Sequence, residues 1–133
     1  MAEPRTILCV DDDRDFLEME RRILAGGGYR VACFSDPAAA VAAMNASVEA
    51  PALVVTDLMM SSLDSGFALA RRLKDDPRFA AVPVIIVTAV SRQKGFDFSP
   101  KGEADLAAMG ADAFFDKPVA PQALLAKVKE LLG

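Results

Sequence analysis

The sequence predicts an α/β fold with a doubly wound, mostly parallel sheet of five strands. Short apolar runs alternate with longer amphipathic stretches along the 133 residues. Most of the apolar runs are continuous, which is typical of strands covered on both faces. Strands that are each followed by a helix form a parallel sheet through right-handed crossovers, with helices on both sides. The predicted strands are TILCV (6–10), YRVACF (29–34), ALVVT (52–56), VPVIIVT (82–88) and DAFF (112–115).

The stretches between the strands carry helix signals. Apolar residues from Phe16 to Leu24 recur at helical spacing, and the glycines at 26–28 end that pattern. In the next stretch, Asp36 is the predicted N-cap and Pro37 the first helical residue. Three further helices are predicted over GFALARRLKDD (66–76), KGEADLAAMG (101–110) and PQALLAKVKELLG (121–133).

Composition narrows the class of protein. The length suits one domain, residues 1–133, with one core. The net charge is −4 and the basic residues are scattered, so a nucleic-acid-binding surface is not expected. No apolar run is long enough to cross a bilayer and the N-terminus lacks a signal-peptide pattern, which predicts a cytoplasmic protein.

Two residue types restrict the chemistry. The chain has no histidine, which excludes Ser-His and Cys-His nucleophile systems, a zinc site built on imidazole, and a phosphohistidine carrier. Cys9 and Cys33 lie inside apolar runs, and we expect small, buried, reduced side chains there rather than a disulfide.

Acidic and polar residues follow the predicted strands. In doubly wound sheets, ligands bind beyond the carboxyl ends of the strands. The first strand runs directly into three adjacent carboxylates, and the third, fourth and fifth also end in polar residues. We therefore expect one edge of the sheet to collect Asp11, Asp12, Asp13, Thr56, Asp57, Thr88, Asp116 and Lys117.

Clustered carboxylates indicate a hard divalent cation. Two like charges about 4 Å apart repel by roughly 4 kcal/mol at an effective dielectric constant near 20. Mg²⁺ offsets that repulsion and is usually held by one or two carboxylates, water and phosphate oxygens. An aspartate beside it can attack phosphorus to give an aspartyl phosphate. A lysine and a threonine hydroxyl would then contact phosphoryl oxygens, and positioning and charge are what phosphoryl transfer requires.

These residues carry a family resemblance. The chain resembles the receiver domain of two-component response regulators over nearly its whole length. The resemblance implies a flavodoxin-like (βα)5 receiver with strand order 2-1-3-4-5. We expect a stand-alone receiver that signals by protein contact or relays phosphate onward, with an excised domain as the open alternative. Four motifs in the appropriate order at strand ends support it: VDDD (10–13), VVTDLMM (54–60), VIIVTA (84–89) and FFDKPV (114–119).

The resemblance assigns roles at the acidic site. Asp57 is similar to the phosphoacceptor, which takes its phosphoryl group from a sensor histidine kinase or a histidine phosphotransfer protein. Asp12 and Asp57 resemble direct ligands of Mg²⁺ or Mn²⁺, with Asp11 acting mainly through water. The backbone carbonyl of Met59 would complete the protein ligands.

Further roles fall on the other strand ends. Thr88 and Lys117 resemble the residues that engage the phosphoryl oxygens, and the Lys117–Pro118 bond is expected to be cis. Phe114 occupies the position of the aromatic switch residue that repacks when Thr88 moves. Met59 and Val90 occupy positions that tune hydrolysis, and since both are apolar we expect slow self-dephosphorylation.

Other residues have structural interpretations. Asp13 is interpreted as a helix cap or a solvated residue, and Phe115 as a core residue facing away from Phe114. Asp64 and Asp116 are expected at the surface.

The sequence also departs from the family pattern in two loops. Ser61 replaces the usual proline and an extra residue precedes Gly66, which affects how the Met59 carbonyl is placed. The loop at 91–102 is longer than usual and contains Phe96 and Phe98. We interpret both aromatic side chains as packing onto the domain, and a contact with a partner protein or a second copy remains the alternative.

Two other functions remain alternatives to the phosphorylated switch. One alternative is a receiver-like module that acts on a partner protein by contact alone. Such modules typically lack the phosphoacceptor, an acidic residue or the lysine, whereas this chain has Asp57, the Asp11–Asp12 pair and Lys117. A haloacid-dehalogenase-like phosphatase fits the D-x-D spacing of Asp11 and Asp13, but Arg14 and Asp15 follow where that family has a small residue and a threonine. We expect the protein to catalyse its own phosphorylation and thereby regulate a downstream protein, and we do not expect a turnover enzyme. No membrane contact is expected, and the sequence leaves dimerisation open.

Overall fold

Five parallel strands form a single sheet in this computed structural model. The structure describes residues 5–47, 49–57, 65–88, 111–116 and 119–132. The strand order is β2-β1-β3-β4-β5, which confirms the predicted topology. The strands are β1 (Thr6–Val10), β2 (Arg30–Phe34), β3 (Leu53–Thr56), β4 (Val84–Thr88) and β5 (Ala113–Asp116).

Four helices connect and cover the strands in the described part of the chain. Two of them begin at the predicted caps, since Asp13 Oδ1 accepts a hydrogen bond from the Phe16 amide at 3.1 Å and Asp36 Oδ2 accepts one from the Ala39 amide at 3.3 Å. The helix predicted at 101–110 lies outside the described residues. The helices are α1 (Arg14–Gly26), α2 (Pro37–Ala46), α3 (Ser65–Asp75) and α4 (Pro121–Leu132).

The two glycines after α1 lie in different environments. Gly28 has φ +95°, a left-handed conformation that side chains disfavour. Gly27 lies close to α4, and a Cβ there would come within 2.6 Å of Leu125 Cδ2. The glycines that end α1 therefore also lie where α1 approaches α4 closely.

Both faces of the sheet are covered, which explains the continuous apolar strands. Side chains alternate between the faces, so neighbouring strand residues enter different core layers. One layer joins the sheet to α2 and α3 through residues such as Leu8, Val54, Ile86, Met44 and Leu73. The other joins it to α1 and α4 through residues such as Ile7, Val55, Ile85, Leu24 and Leu124.

Some predicted strand limits were wrong by one or two residues. β4 begins at Val84 rather than at 82, because the Val82 amide donates to the Phe79 carbonyl in the preceding turn. β5 runs from Ala113 to Asp116 rather than 112–115. Asp112 instead accepts a hydrogen bond from the Val84 amide at 2.8 Å through its side chain, tying the starts of β4 and β5 together. β2 and β3 each begin one residue later than predicted.

The two cysteines are free thiols, as predicted. Cys9 on β1 is buried, but Cys33 on β2 is only half-buried. The expectation of burial was therefore wrong for Cys33, because β2 is an edge strand and is less covered than the central β1.

Candidate functional site

The carboxyl end of β1 presents the first acidic side chains of the site. The Asp11 amide donates to the Phe34 carbonyl at 3.1 Å, so the β1–β2 pairing extends to the first aspartate. The Asp13 amide donates to Asp11 Oδ1 at 2.9 Å and orients that carboxylate. Asp11 is only 1% exposed, whereas Asp12 is exposed to solvent.

β3 delivers the third carboxylate. The Asp57 amide donates to the Val10 carbonyl at 2.9 Å, which sets Asp57 beside the end of β1. The Thr56 hydroxyl donates to the Asp57 carbonyl at 3.1 Å. The Asp57 residue is 6% exposed, so its carboxylate lies at the base of the site while Asp12 lies at the rim.

The three carboxylates converge. One oxygen each from Asp11, Asp12 and Asp57 lies within 4.8 Å of the others. That spacing suits one Mg²⁺ ion, whose bonds to oxygen are about 2.0–2.1 Å and which keeps several waters. Two of these acids are buried, and buried like charges are costly unless a cation or donors offset them. The residues present therefore fit a hard divalent cation.

The neighbouring strand ends are described only in part. Thr88 is the last residue of β4 and pairs in register with Asp116 of β5. The structure describes the backbone of these two residues but not their side chains. Phe114 packs against the α2–α3 layer and Phe115 against the α1–α4 layer, which confirms their predicted opposite faces. The other predicted positions, Met59, Asp64, Val90, Lys117, Pro118 and the loops at 61–64 and 91–102, lie outside the described residues.

Asp13 belongs to the helix rather than to the acidic cluster. Its side chain caps α1, as predicted. The spacing of Asp11 and Asp13 required by the phosphatase alternative is thus present in the sequence, but the two carboxylates have separate structural roles.

Glu20 on α1 is a buried carboxylate that the sequence analysis did not single out. It is 1% exposed, and its negative charge raises the pKa of the buried Cys9 thiol, an effect smaller than those of the hydrogen bond to Cys33 and of burial. Its position four residues after Phe16 and four before Leu24 places it on the buried face of the helix. This spacing is visible in the sequence and could have identified Glu20 as a residue on the buried face.

Comparison with known families decides the class. The family model of the response regulator receiver domain matches residues 7–129. This chain belongs to the response regulator receiver family. The predicted resemblance is confirmed, and the acidic cluster lies at the carboxyl ends of the first and third strands of a receiver.

Similar proteins agree with this assignment. The receiver is 34% identical over 134 residues to the transcriptional regulatory protein GltR of Pseudomonas aeruginosa, covering 98% of this chain and 50% of that protein. It is 32% identical to the response regulator Rre1 of Synechocystis, covering all of this chain and 54% of the relative. The chain thus spans about half the length of these curated relatives.

Solved structures show the same architecture. A response regulator structure from Chloroflexus aurantiacus superposes with a TM-score of 0.80 at 27% identity, covering 97% of this chain and 98% of the other. The chemotaxis protein CheY4 of Vibrio cholerae, at 22% identity and a TM-score of 0.79 over 97% and 99% of the two chains, shares the fold. In the described parts of the receiver, no helix is both long and apolar enough to span a membrane.

Proposed function

We propose that the receiver is a phosphorylation-dependent switch with Asp57 as its phosphoacceptor and Mg²⁺, or Mn²⁺, as its cofactor. The observation that carries this proposal is the convergence of Asp57 with Asp11 and Asp12 within 4.8 Å at one edge of the sheet. Receivers belong to two-component systems, so the donor would be a sensor histidine kinase or a histidine phosphotransfer protein in the cytoplasm.

The chemistry follows from the placement of the carboxylates. A carboxylate oxygen of Asp57 would attack the phosphorus atom as the bond from phosphorus to the donor's imidazole nitrogen breaks, and that nitrogen keeps the electron pair. Mg²⁺, when bound, would neutralise charge shared by the phosphoryl oxygens and the acids. The hydrogen bond from the Asp57 amide to the Val10 carbonyl holds the nucleophile beside Asp11. The Asp57 carboxylate would therefore need little reorganisation before it attacks phosphorus.

Residues whose side chains the structure does not describe complete the proposal through the family pattern. Lys117 and Thr88 would contact the phosphoryl oxygens, and the Met59 carbonyl would bind the metal. Phe114 is half-buried and packs against the α2–α3 layer, which leaves it partly free to repack as a switch residue when Thr88 moves. The surface that rearranges when Phe114 repacks would bind a downstream protein. In this proposal residues 1–133 act as one domain and make no contact with nucleic acid.

Intact-mass measurement tests the phosphoacceptor directly. We expect incubation with acetyl phosphate and Mg²⁺ to add a single phosphoryl group to the wild-type chain. Omission of Mg²⁺, or the change Asp57→Ala, should leave no adduct. Asp13→Asn is the matched control, because Asp13 caps α1 outside the acidic cluster and asparagine is an equally good cap. A wild-type chain that never gains mass would instead favour a module acting by contact alone, and turnover of a generic phosphate ester would favour a phosphatase.

The lifetime of the phosphorylated protein is a separate prediction. Met59 and Val90 carry no group that can orient a hydrolytic water, so we expect slow decay of phospho-Asp57. Met59→Asn should shorten the lifetime about tenfold or more, since a positioned polar group contributes roughly 10²–10⁴-fold in proton-transfer catalysis at its best. Loss of the added mass over time measures both rates. Rapid decay in the wild-type chain, unchanged by Met59→Asn, would contradict the prediction.

A further inference from the structure

A pair of cysteines lies beside the acidic site on neighbouring strands. Cys9 of β1 and Cys33 of β2 are Cα partners in the parallel register. Both residues belong to the α1–α4 layer, Cys9 within it and Cys33 packed against it. Neighbouring strands lie about 4.8 Å apart, inside the range of about 4.4–6.8 Å between Cα atoms that a disulfide allows.

The two thiols differ in environment. Cys9 is buried, whereas Cys33 is half-buried on the edge strand. The pKa of the Cys33 thiol is lowered, chiefly by its hydrogen bond to Cys9 and further by the positive charge of Arg21, while partial burial and Glu18 oppose these effects. Partly exposed thiols beside a cation are the reactive ones, so Cys33 is the accessible member and Cys9 the adjoining partner.

We propose that Cys9 and Cys33 form a peroxide-oxidised dithiol that closes to an intramolecular disulfide. The Cys33 sulfur attacks one oxygen of hydrogen peroxide, the O–O bond breaks, and the hydroxide that leaves is protonated to water. The Cys9 sulfur then attacks the Cys33 sulfenic acid, the S–O bond breaks, and a second water leaves with the Cys9 proton. Two thiols lose two electrons in total, and one peroxide becomes two waters.

Closing this bond would change the acidic site. Register partners in a parallel pair have their Cβ atoms nearly as far apart as the strands, whereas a disulfide requires about 3.5–4.5 Å. β1 and β2 must therefore draw together at Cys9, two residues before Asp11. The Asp11 amide bonds to the Phe34 carbonyl, one residue after Cys33, so the same ladder carries the displacement to Asp11. This second effect rests on the proposed Mg²⁺ site, whereas disulfide formation does not.

Intact mass after peroxide treatment tests the dithiol. Reduced protein is exposed to hydrogen peroxide, then denatured and alkylated with iodoacetamide. We expect the chain to lose two hydrogen atoms and to take up no alkyl group, and dithiothreitol to restore both alkylation sites. In Cys9→Ala, dimedone should trap a sulfenic acid on Cys33, and in Cys33→Ala the buried Cys9 should remain a thiol. Two free thiols after treatment, oxygen adducts without a disulfide, or a disulfide-linked dimer would overturn the proposal.

Calorimetry of Mg²⁺ binding tests the coupling. We expect the oxidised chain to bind Mg²⁺ about tenfold more weakly than the reduced chain, comparable to the loss from disturbing groups around a metal site. Cys33→Ala treated with peroxide is the control and should bind as the reduced chain does. Equal affinity in the oxidised and reduced chains would overturn the coupling. Absence of Mg²⁺ binding in the reduced chain would instead contradict the proposed function, leaving the mass measurement to decide the disulfide.

Discussion

Saturating Mg²⁺ is expected to raise the Tm of the receiver by about 10 °C, and Asp12→Asn is expected to remove most of that rise. A ligand at about 100 times its Kd stabilises the folded state by about 2.7 kcal/mol. For a chain of this length, each kcal/mol corresponds to about 4 °C. The effect is specific to the folded state because Asp11, Asp12 and Asp57 converge within 4.8 Å only when β1 and β3 are paired.

Scanning calorimetry with and without Mg²⁺, at matched ionic strength in NaCl, measures this effect. In the absence of Mg²⁺, Asp12→Asn should melt no lower than the wild type, because the change removes one charge from three adjacent carboxylates. Asp13→Asn makes the same chemical change one residue later, outside the cluster, and should keep both the helix cap and the full Mg²⁺ response. A full response in Asp12→Asn, or a lost response in Asp13→Asn, would contradict the assignment of the cluster.

Ile85→Ala and Ile86→Ala are each expected to lower the free energy of unfolding by about 2–5 kcal/mol. Both residues are fully buried on β4, between β3 and β5, but they enter different core layers. Each truncation leaves a cavity beneath a helix layer, and close-packed interiors relax only partly around such a cavity. Comparable losses from both variants are the consequence of a sheet that is covered on both faces.

Urea unfolding followed by circular dichroism measures the two losses. Met19→Ala provides a surface control on α1, where the side chain is 38% exposed, and should change the free energy of unfolding by at most about 0.5 kcal/mol. A loss below about 1 kcal/mol for one isoleucine, with the expected loss for the other, would mean that one face of the sheet is not a packed core.

Local sequence patterns predicted most of the elements, and the family resemblance supplied the strand order that the sheet shows. Asp13 and Asp36 cap α1 and α2 because an aspartate oxygen can reach the amide three residues ahead, a contact that depends on neighbouring residues alone. Strand limits were less predictable, as at Asp112, whose side chain bonds the Val84 amide. That contact spans 28 residues and leaves no local signal in the sequence.

The sequence by itself determined which residue types follow each strand, and hence that Asp11, Asp12 and Asp57 belong to one edge of a receiver. Their separation, the burial of Asp57 and the exposure of Asp12 were decided by the tertiary structure. The same holds for the alignment of Cys9 with Cys33, which depends on the register between β1 and β2. Helical and strand periodicity is encoded within a few residues, whereas register and burial arise from packing between segments far apart in the chain.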